Sequence, residues 1–218
     1  MRYTDALSTH TSQASNKTLR NTYGLLSLTL LFSAFTAGLS MVLNLPHPGL
    51  IITLVGFYGL LFLTHKCQNS ALGLLCVFAL TGFMGLTLGP ILNAYLSMSN
   101  GASMIMSALG TTGLSFLGLS AYAIVSKKDF SFLNGFLTVG FFALLFAMIA
   151  GFFIQLPALQ IFISVGFTLF SAAVILLQTS EIVRGGETNY IMATVNLYVS
   201  LYNMFLSLLS LFGMASDD

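Results

Sequence analysis

Charge is what this sequence lacks most. Of its 218 residues only 6% are Asp, Glu, Lys or Arg, against the roughly 25% with which a soluble domain covers itself in a solvated surface. That shortage excludes a water-soluble enzyme and a soluble binding module. Tryptophan is absent, and cysteine occurs only at Cys67 and Cys76. Their spacing matches neither a metal-binding nor a redox motif. A disulfide scaffold is therefore excluded, and both cysteines read as small apolar fillers. The formal net charge of +1 supplies no basic field for a polyanion, which removes nucleic acid as a partner.

What is present is hydrocarbon: 56% of residues are hydrophobic, 20 are Phe, and the mean hydropathy is +0.93. The few charges are clustered, and between the clusters lie seven apolar runs at about residues 22–44, 49–65, 71–95, 102–125, 131–154, 159–179 and 190–213. Coiled as helices, such runs cross about 30 Å of hydrocarbon. The expected fold class is an all-α integral membrane protein, a bundle of seven transmembrane helices in the lipid bilayer. Residues 1–21 are polar and read as a flexible tail, and 214–218 as a short C-terminal end. The first apolar run is too long for a signal-peptide core and no small-residue cleavage site follows it, so it is expected to remain as an anchor. Connections are short, and proline ends helices at Asn44-Leu45-Pro46-His47-Pro48-Gly49 and at Gln155-Leu156-Pro157.

Orientation follows from the basic residues, which resist translocation and collect on the cytoplasmic side. With seven spans, Arg2, Lys17, Arg20, Lys66, Lys127, Lys128 and Arg184 all fall on one side, together with Asp5, Asp129, Glu181 and Glu187. The other side holds only Asp217 and Asp218. The N-terminus is thus expected in the cytoplasm and the C-terminus outside.

No Asp, Glu, Lys or Arg lies within any span. Pumps and voltage sensors need an ionisable group at depth, and intramembrane proteases need a Ser with a His base or paired Asp there. No span provides these sets, so no catalytic residue, cofactor or metal ligand is assigned. The last span instead carries a polar stripe: Asn189, Ala193, Asn196, Ser200, Asn203, Ser207 and Ser210 recur at intervals of three and four. Span six has Ser164, Thr168, Ser171 and Gln178 at similar spacing. Lipid cannot satisfy an Asn amide, so the stripe must meet other helices or water. A hydrogen-bonded packing seam and a hydrated pathway both fit. In span three, Gly85 and Gly89 allow close backbone approach, and Pro90 frees a carbonyl and kinks the helix. Glu181, Arg184 and Glu187 flank the cytoplasmic end of the last span, where they can pair with one another, pair with Lys127 and Lys128, or face a partner.

Three stretches carry a resemblance: Thr81-Gly82-Phe83-Met84-Gly85-Leu86-Thr87-Leu88-Gly89-Pro90-Ile91-Leu92, Gly185-Gly186-Glu187-Thr188-Asn189-Tyr190-Ile191 and Leu197-Tyr198-Val199-Ser200-Leu201-Tyr202-Asn203. They are similar to the Bax inhibitor (TMBIM) family, from about residue 20 to the C-terminus. The resemblance implies a seven-helix fold with the last helix wrapped by the other six, in agreement with the polar stripe. It also implies a non-enzymatic protein of the bacterial inner membrane that modulates the membrane-anchored AAA protease FtsH, and with it the protease's associated regulators. In that role the polar tail would serve as a handle, making the chain a slow, competing substrate. Some family members are calcium leaks gated by an aspartate pair, and the alternative implied here is such a leak between helices six and seven. The matching positions are Gln178 and Ser200, which hydrogen-bond but do not titrate. The resemblance therefore carries the fold across without the proton switch.

The charge partition is checked with a phosphatase that is active only outside the cytoplasm. A fusion after residue 214 is expected to be active and one after residue 128 inactive. Equal activity at both points would contradict the assignment.

Overall fold

The computed structural model describes residues 2–154 and 156–215, with side chains from residue 14 onward except that of residue 152. Gln155, Asp217 and Asp218, which the sequence places in a turn and at the far end, lie outside the described residues. Among the described residues all regular structure is helical: α1 (Arg2–Val42), α2 (Leu50–Cys67), α3 (Ala71–Leu96), α4 (Gly101–Ser126), α5 (Leu133–Phe153), α6 (Pro157–Arg184) and α7 (Tyr190–Met214). All seven are long and apolar enough to cross a membrane. Large apolar side chains such as Leu31, Phe35, Phe62, Leu114 and Phe146 stand exposed along them, as a lipid-facing surface requires.

Two helix ends differ from the hydropathy pattern. That pattern starts the first span at residue 22, but residues 14–21 are already helical and the candidate span is Ala14–Val42. The physical reason is the absence of a breaker: no Gly or Pro precedes Gly24, so a helix nucleated in the apolar run extends through Ser and Asn at small cost. Ser15 is buried, and Thr18 returns its hydroxyl to the Ala14 carbonyl at 3.1 Å. The part of the tail expectation that falls on residues 1–13 lies outside the described side chains. Helix α6 likewise continues past residue 179 to Arg184. It stops where Gly185 takes up a positive φ of 78°, with the Gly186 N–H donating to the Glu181 carbonyl (2.9 Å) and the Gly185 N–H to Ile182 (3.1 Å). This is a Schellman cap, set by glycine rather than by the end of the apolar run.

The chain forms two compact units, the first from α1, α2, α3 and residues up to Tyr198 of α7, the second from α4, α5, α6 and α7 from Val199 onward. Helix α7 is thus the element both units share. In the first unit α3 packs against α1 and α2. The close approach to α1 is made by glycine. A Cβ on Gly82 would lie 2.7 Å from the Phe32 ring, one on Gly89 would lie 2.5 Å from Ser40 Cβ, and one on Gly85 would run into the Thr36 hydroxyl and the Ser33 carbonyl. With the backbones this close, side chains of one helix reach carbonyls of the other. Pro90 has no N–H, so the Leu86 carbonyl four residues before it loses its helical donor. Ser40 of α1 supplies the replacement, its hydroxyl donating to the Leu86 carbonyl at 2.8 Å. One turn further, the Asn93 amide donates to the Met41 carbonyl at 3.2 Å and closes the end of α1. That end is itself a Schellman cap, with Asn44 at φ 48° and the Leu45 N–H on the Ser40 carbonyl (3.0 Å).

In the second unit α6 packs against α4 and α5. Phe130, Leu137 and Leu177 form a buried cluster, with Leu133, Phe170 and Val174 around it. Gly166 gives the Leu144 side chain room, since a Cβ there would meet its Cδ2 at 2.5 Å.

The Pro90 compensation makes a sharp prediction. Ser40→Ala, which leaves the Leu86 carbonyl without its donor, is expected to cost about 1 kcal/mol in detergent unfolding. In a Pro90→Ala background the new N–H reaches that carbonyl, and the same substitution should cost markedly less. Equal costs in both backgrounds would contradict the assignment.

Candidate functional site

The polar groups of α7 sort into two sets by unit. In the first unit, Asn189 is the N-cap of α7: its Oδ1 accepts from the N–H groups of Ile191 (3.0 Å) and Met192 (3.2 Å). Its Nδ2 donates to the Gln68 carbonyl (3.2 Å) and Asn69 Oδ1 (3.0 Å) in the α2–α3 turn. Its own N–H donates to the Glu187 carboxylate at 2.7 Å. Asn189 therefore starts the last helix and ties that start to the preceding hairpin. One turn on, the Thr194 hydroxyl is shared between the carbonyls of Tyr190 (2.7 Å) and Thr22 of α1 (3.2 Å). Another turn on lies Tyr198, only 1% exposed. Its hydroxyl donates to the Thr81 carbonyl of α3 at 3.3 Å, so the 2.6 Å contact with Ser33 of α1 has Ser33 as donor. A single phenol thus joins three helices beside the glycine seam.

In the second unit the stripe continues as Ser200, Asn203, Ser207 and Ser210. Ser164 of α6 donates to the Ser210 hydroxyl at 3.2 Å, which brings the predicted stripes of spans six and seven into direct contact at this level. Thr168 turns back to the Ser164 carbonyl (2.9 Å), and Ser171 is buried with no partner for its hydroxyl. Gln178 and Ser200 are both buried, at 6% and 5% exposure. Asn196, in the first unit, and Asn203 are half-buried. The chemistry these groups offer is neutral hydrogen bonding. Among the described residues no group of three or more His, Cys, Asp and Glu could hold a metal ion.

The charged residues near the ends of α6 and α7 fall in both units, Glu181 and Arg184 in the second and Glu187 in the first. Arg184 pairs with Asp129 in the α4–α5 turn, and both are exposed, at 43% and 49%. Asp129 also accepts from the Ser131 N–H at 2.8 Å. That hydrogen bond first, and the Arg184 guanidinium second, hold the Asp129 carboxyl below the usual carboxylate range. Ser180 donates to the Lys128 carbonyl at 2.7 Å and fastens the same turn to α6. Glu187 belongs to the first unit and serves Asn189. Glu181 receives the Gly186 N–H at its carbonyl, as described above.

Sequence reasoning missed Thr194, Tyr198 and Ser33. Thr194 and Tyr198 follow the same four-residue spacing on an adjacent face of α7, where a tyrosine counts as apolar, whereas Ser33 lies in α1, whose small hydroxyl residues carry no such signal alone. Asp129 was also missed as the Arg184 partner. The usable signal was its place in the charged turn Lys127-Lys128-Asp129, on the same expected side as Arg184.

Comparison with known proteins bears on what such an arrangement serves. A family model described as "Inhibitor of apoptosis-promoting Bax1" matches residues 15–217. An uncharacterized protein of Pseudomonas aeruginosa is 60% identical over 200 residues, covering 92% of this chain and 90% of that one. The modulator of FtsH protease YccA of Escherichia coli is 57% identical over 215 residues, covering 99% of this chain and 95% of that one. An uncharacterized membrane protein of Vibrio cholerae is 44% identical over 205 residues, covering 94% and 92%.

Two outcomes follow from the geometry. Asn189→Ala removes both the cap and the tie to the hairpin, and is expected to cost about 1–2 kcal/mol in detergent unfolding. Asn189→Ser, which keeps a capping oxygen, should fall between wild type and Ala, and equal losses for Ala and Ser would contradict the capping role. For Asp129, whose carboxyl is held low in the folded state, the contribution to stability is present above the unfolded value near pH 4 and lost as pH falls through the lower folded one. The difference between wild type and Asp129→Asn should therefore shrink only below about pH 4. A difference that shrinks instead between pH 6 and 8 would contradict the assignment.

Proposed function

From the premise that this chain belongs to the Bax inhibitor family, we propose that it is a multi-pass protein of the bacterial inner membrane that modulates a membrane-anchored AAA protease of the FtsH type. The observation that carries this reading is the near full-length identity with a protein named as modulator of that protease. The mechanism we read is occupation. The chain binds the protease as a substrate that is slow to extract, and other membrane substrates are spared while it is engaged. The polar N-terminal tail, on the side where the basic residues collect, serves as the handle. The protease then pulls on α1, a helix tied to its neighbours by polar contacts. Removing it separates Ser40 from the Leu86 carbonyl, Ser33 from Tyr198, and Thr22 from Thr194. Loss of Ser40 strands the Leu86 carbonyl in hydrocarbon, while Thr194 and Tyr198 each lose one of two partners, and together these losses oppose extraction.

The N-terminus is cytoplasmic and the C-terminus periplasmic in this reading. Glu181 and Arg184 at the end of α6, and Glu187 ahead of α7, then lie on the protease's side as separate contact points. The protease's associated regulators are further candidate partners. The polar stripe of Asn196, Ser200, Asn203, Ser207 and Gln178 serves packing. Ser164 bonding directly to Ser210 favours a seam over a pore.

The test uses purified protease, a membrane reporter substrate and this chain in proteoliposomes, with calcium flux recorded from the same vesicles. Degradation of the reporter is expected to slow when the chain is present, with no flux between pH 5 and 8. A chain lacking residues 2–15 should lose most of the protection. Flux with unchanged degradation would overturn the reading in favour of a leak, and full protection by the shortened chain would overturn the handle.

A further inference from the structure

The turn between α4 and α5 carries a charge that the protein itself does not balance. Lys127 ends α4 in the left-handed conformation, with φ 50° and its N–H on the Ala123 carbonyl at 3.1 Å, and Lys128 follows it. The Lys128 carbonyl takes the Ser180 hydroxyl of α6 at 2.7 Å, so the backbone of the turn is held while both lysines stand exposed. The acidic residue of the turn is already engaged: Asp129 accepts from the Ser131 N–H at 2.8 Å and pairs with Arg184. Among the described residues neither lysine is in an ion pair. Glu181, one turn before Arg184, is the other acidic residue at this end of the second unit, and counting it in full still leaves three basic residues against two. Beside the lysines the surface is apolar. Phe130 is buried, with its ring 5.9 Å from that of Tyr122 and 6.2 Å from that of Phe132, and Tyr122, Val125 and Phe132 are exposed. Charge thus meets exposed aromatic rings at the end of a membrane span, the level at which the headgroups of a bilayer lie.

We propose that this turn binds an anionic phospholipid, its phosphate at Lys127 and Lys128 and its acyl chains along Val125 and Phe132. Each part of the site matches one part of that ligand. An ammonium is a compact charge that engages a phosphate without a fixed direction, and the lysine stem lies on apolar surface while its head reaches the headgroups. A zwitterionic lipid brings its own cation to its phosphate, so the two lysines select for net negative charge. Arg184, committed to Asp129, holds the turn to α6, as the Ser180 bond does. Val125 belongs to the span Gly101–Ser126 and faces outward from it. An occupant that covers both Val125 and the lysines must carry hydrocarbon as well as negative charge, which selects a lipid over an acidic peptide or free phosphate. The proposal rests on the seven-span fold, and on neither the protease reading nor the orientation of the chain.

The experiment titrates the full chain, purified in a neutral detergent, with dioleoyl phosphatidylglycerol or dioleoyl phosphatidylcholine and counts bound lipid by native mass spectrometry, each variant first being shown to be folded by its unfolding curve. Phosphatidylglycerol is expected to bind more tightly than phosphatidylcholine. Lys127→Gln or Lys128→Gln should weaken its binding roughly fivefold, and both together about twenty-fivefold. The double change to Arg should keep the preference, as should Lys66→Gln, which removes an exposed lysine from the first unit. The proposal is overturned if the folded double Gln variant binds phosphatidylglycerol as wild type does. It is equally overturned if Lys66→Gln weakens binding as much as the double change, the mark of diffuse attraction to any basic residue, or if glycerol 3-phosphate, which has no acyl chains, displaces the lipid at equal concentration.

Discussion

Hydrocarbon offers no hydrogen-bond partner, and the carbonyl of Leu86 shows what that demands of this chain. Pro90 takes away its helical donor in the middle of a membrane-spanning helix, and water cannot replace it. The solution is interhelical: Ser40 of α1 reaches across and donates. Such a reach is possible only because Gly82, Gly85 and Gly89 let the two backbones close up. The proline, the glycines and the serine are thus one device, in which a defect in α3 obliges α1 to stay. Tyr198 extends it to the last helix, which the same constraint forces to find partners for its polar groups among other helices.

Function follows from that obligation more naturally than from any reactive group. A protease that threads its substrates must pull each helix into water, and the work depends on what the helix leaves behind as well as on its own apolar surface. In α1 the polar contacts lie at Thr22, Ser33 and Ser40, spaced along the whole span. Resistance is therefore met repeatedly as extraction proceeds. On the proposed mechanism, a chain built this way would occupy the machine for long periods without inhibiting its chemistry, in keeping with the name modulator that its relative carries.

The seven helices were legible in the sequence because nothing but a membrane span tolerates such runs of apolar residues. Boundaries were lost where the stop was not an apolar-to-polar change. Helix α1 continues through a polar segment that contains no breaker, and α6 ends on the Gly185 cap rather than on its charged residues. Of the site, the glycine and proline positions could be read, since Gly85, Gly89 and Pro90 have direct backbone consequences. The amide and serine stripe pointed to α7, and Thr194 and Tyr198 lie on a neighbouring face of that helix. Asn189 caps the helix, and Thr194 and Tyr198 add interhelical bonds to α1 and α3. A contact such as Arg184 with Asp129 depends on how a turn folds back, which spacing along the chain does not encode.

The central claim is that interhelical hydrogen bonds in the first unit limit how fast the protease extracts this chain. The most direct measurement is the turnover of the chain itself by the reconstituted protease, for wild type and for Tyr198→Phe, after both are shown by unfolding curves to be folded. Loss of one hydroxyl that joins α1 to α3 and α7 is predicted to speed turnover roughly fivefold, the equivalent of about 1 kcal/mol. Identical turnover of two folded chains would contradict the account.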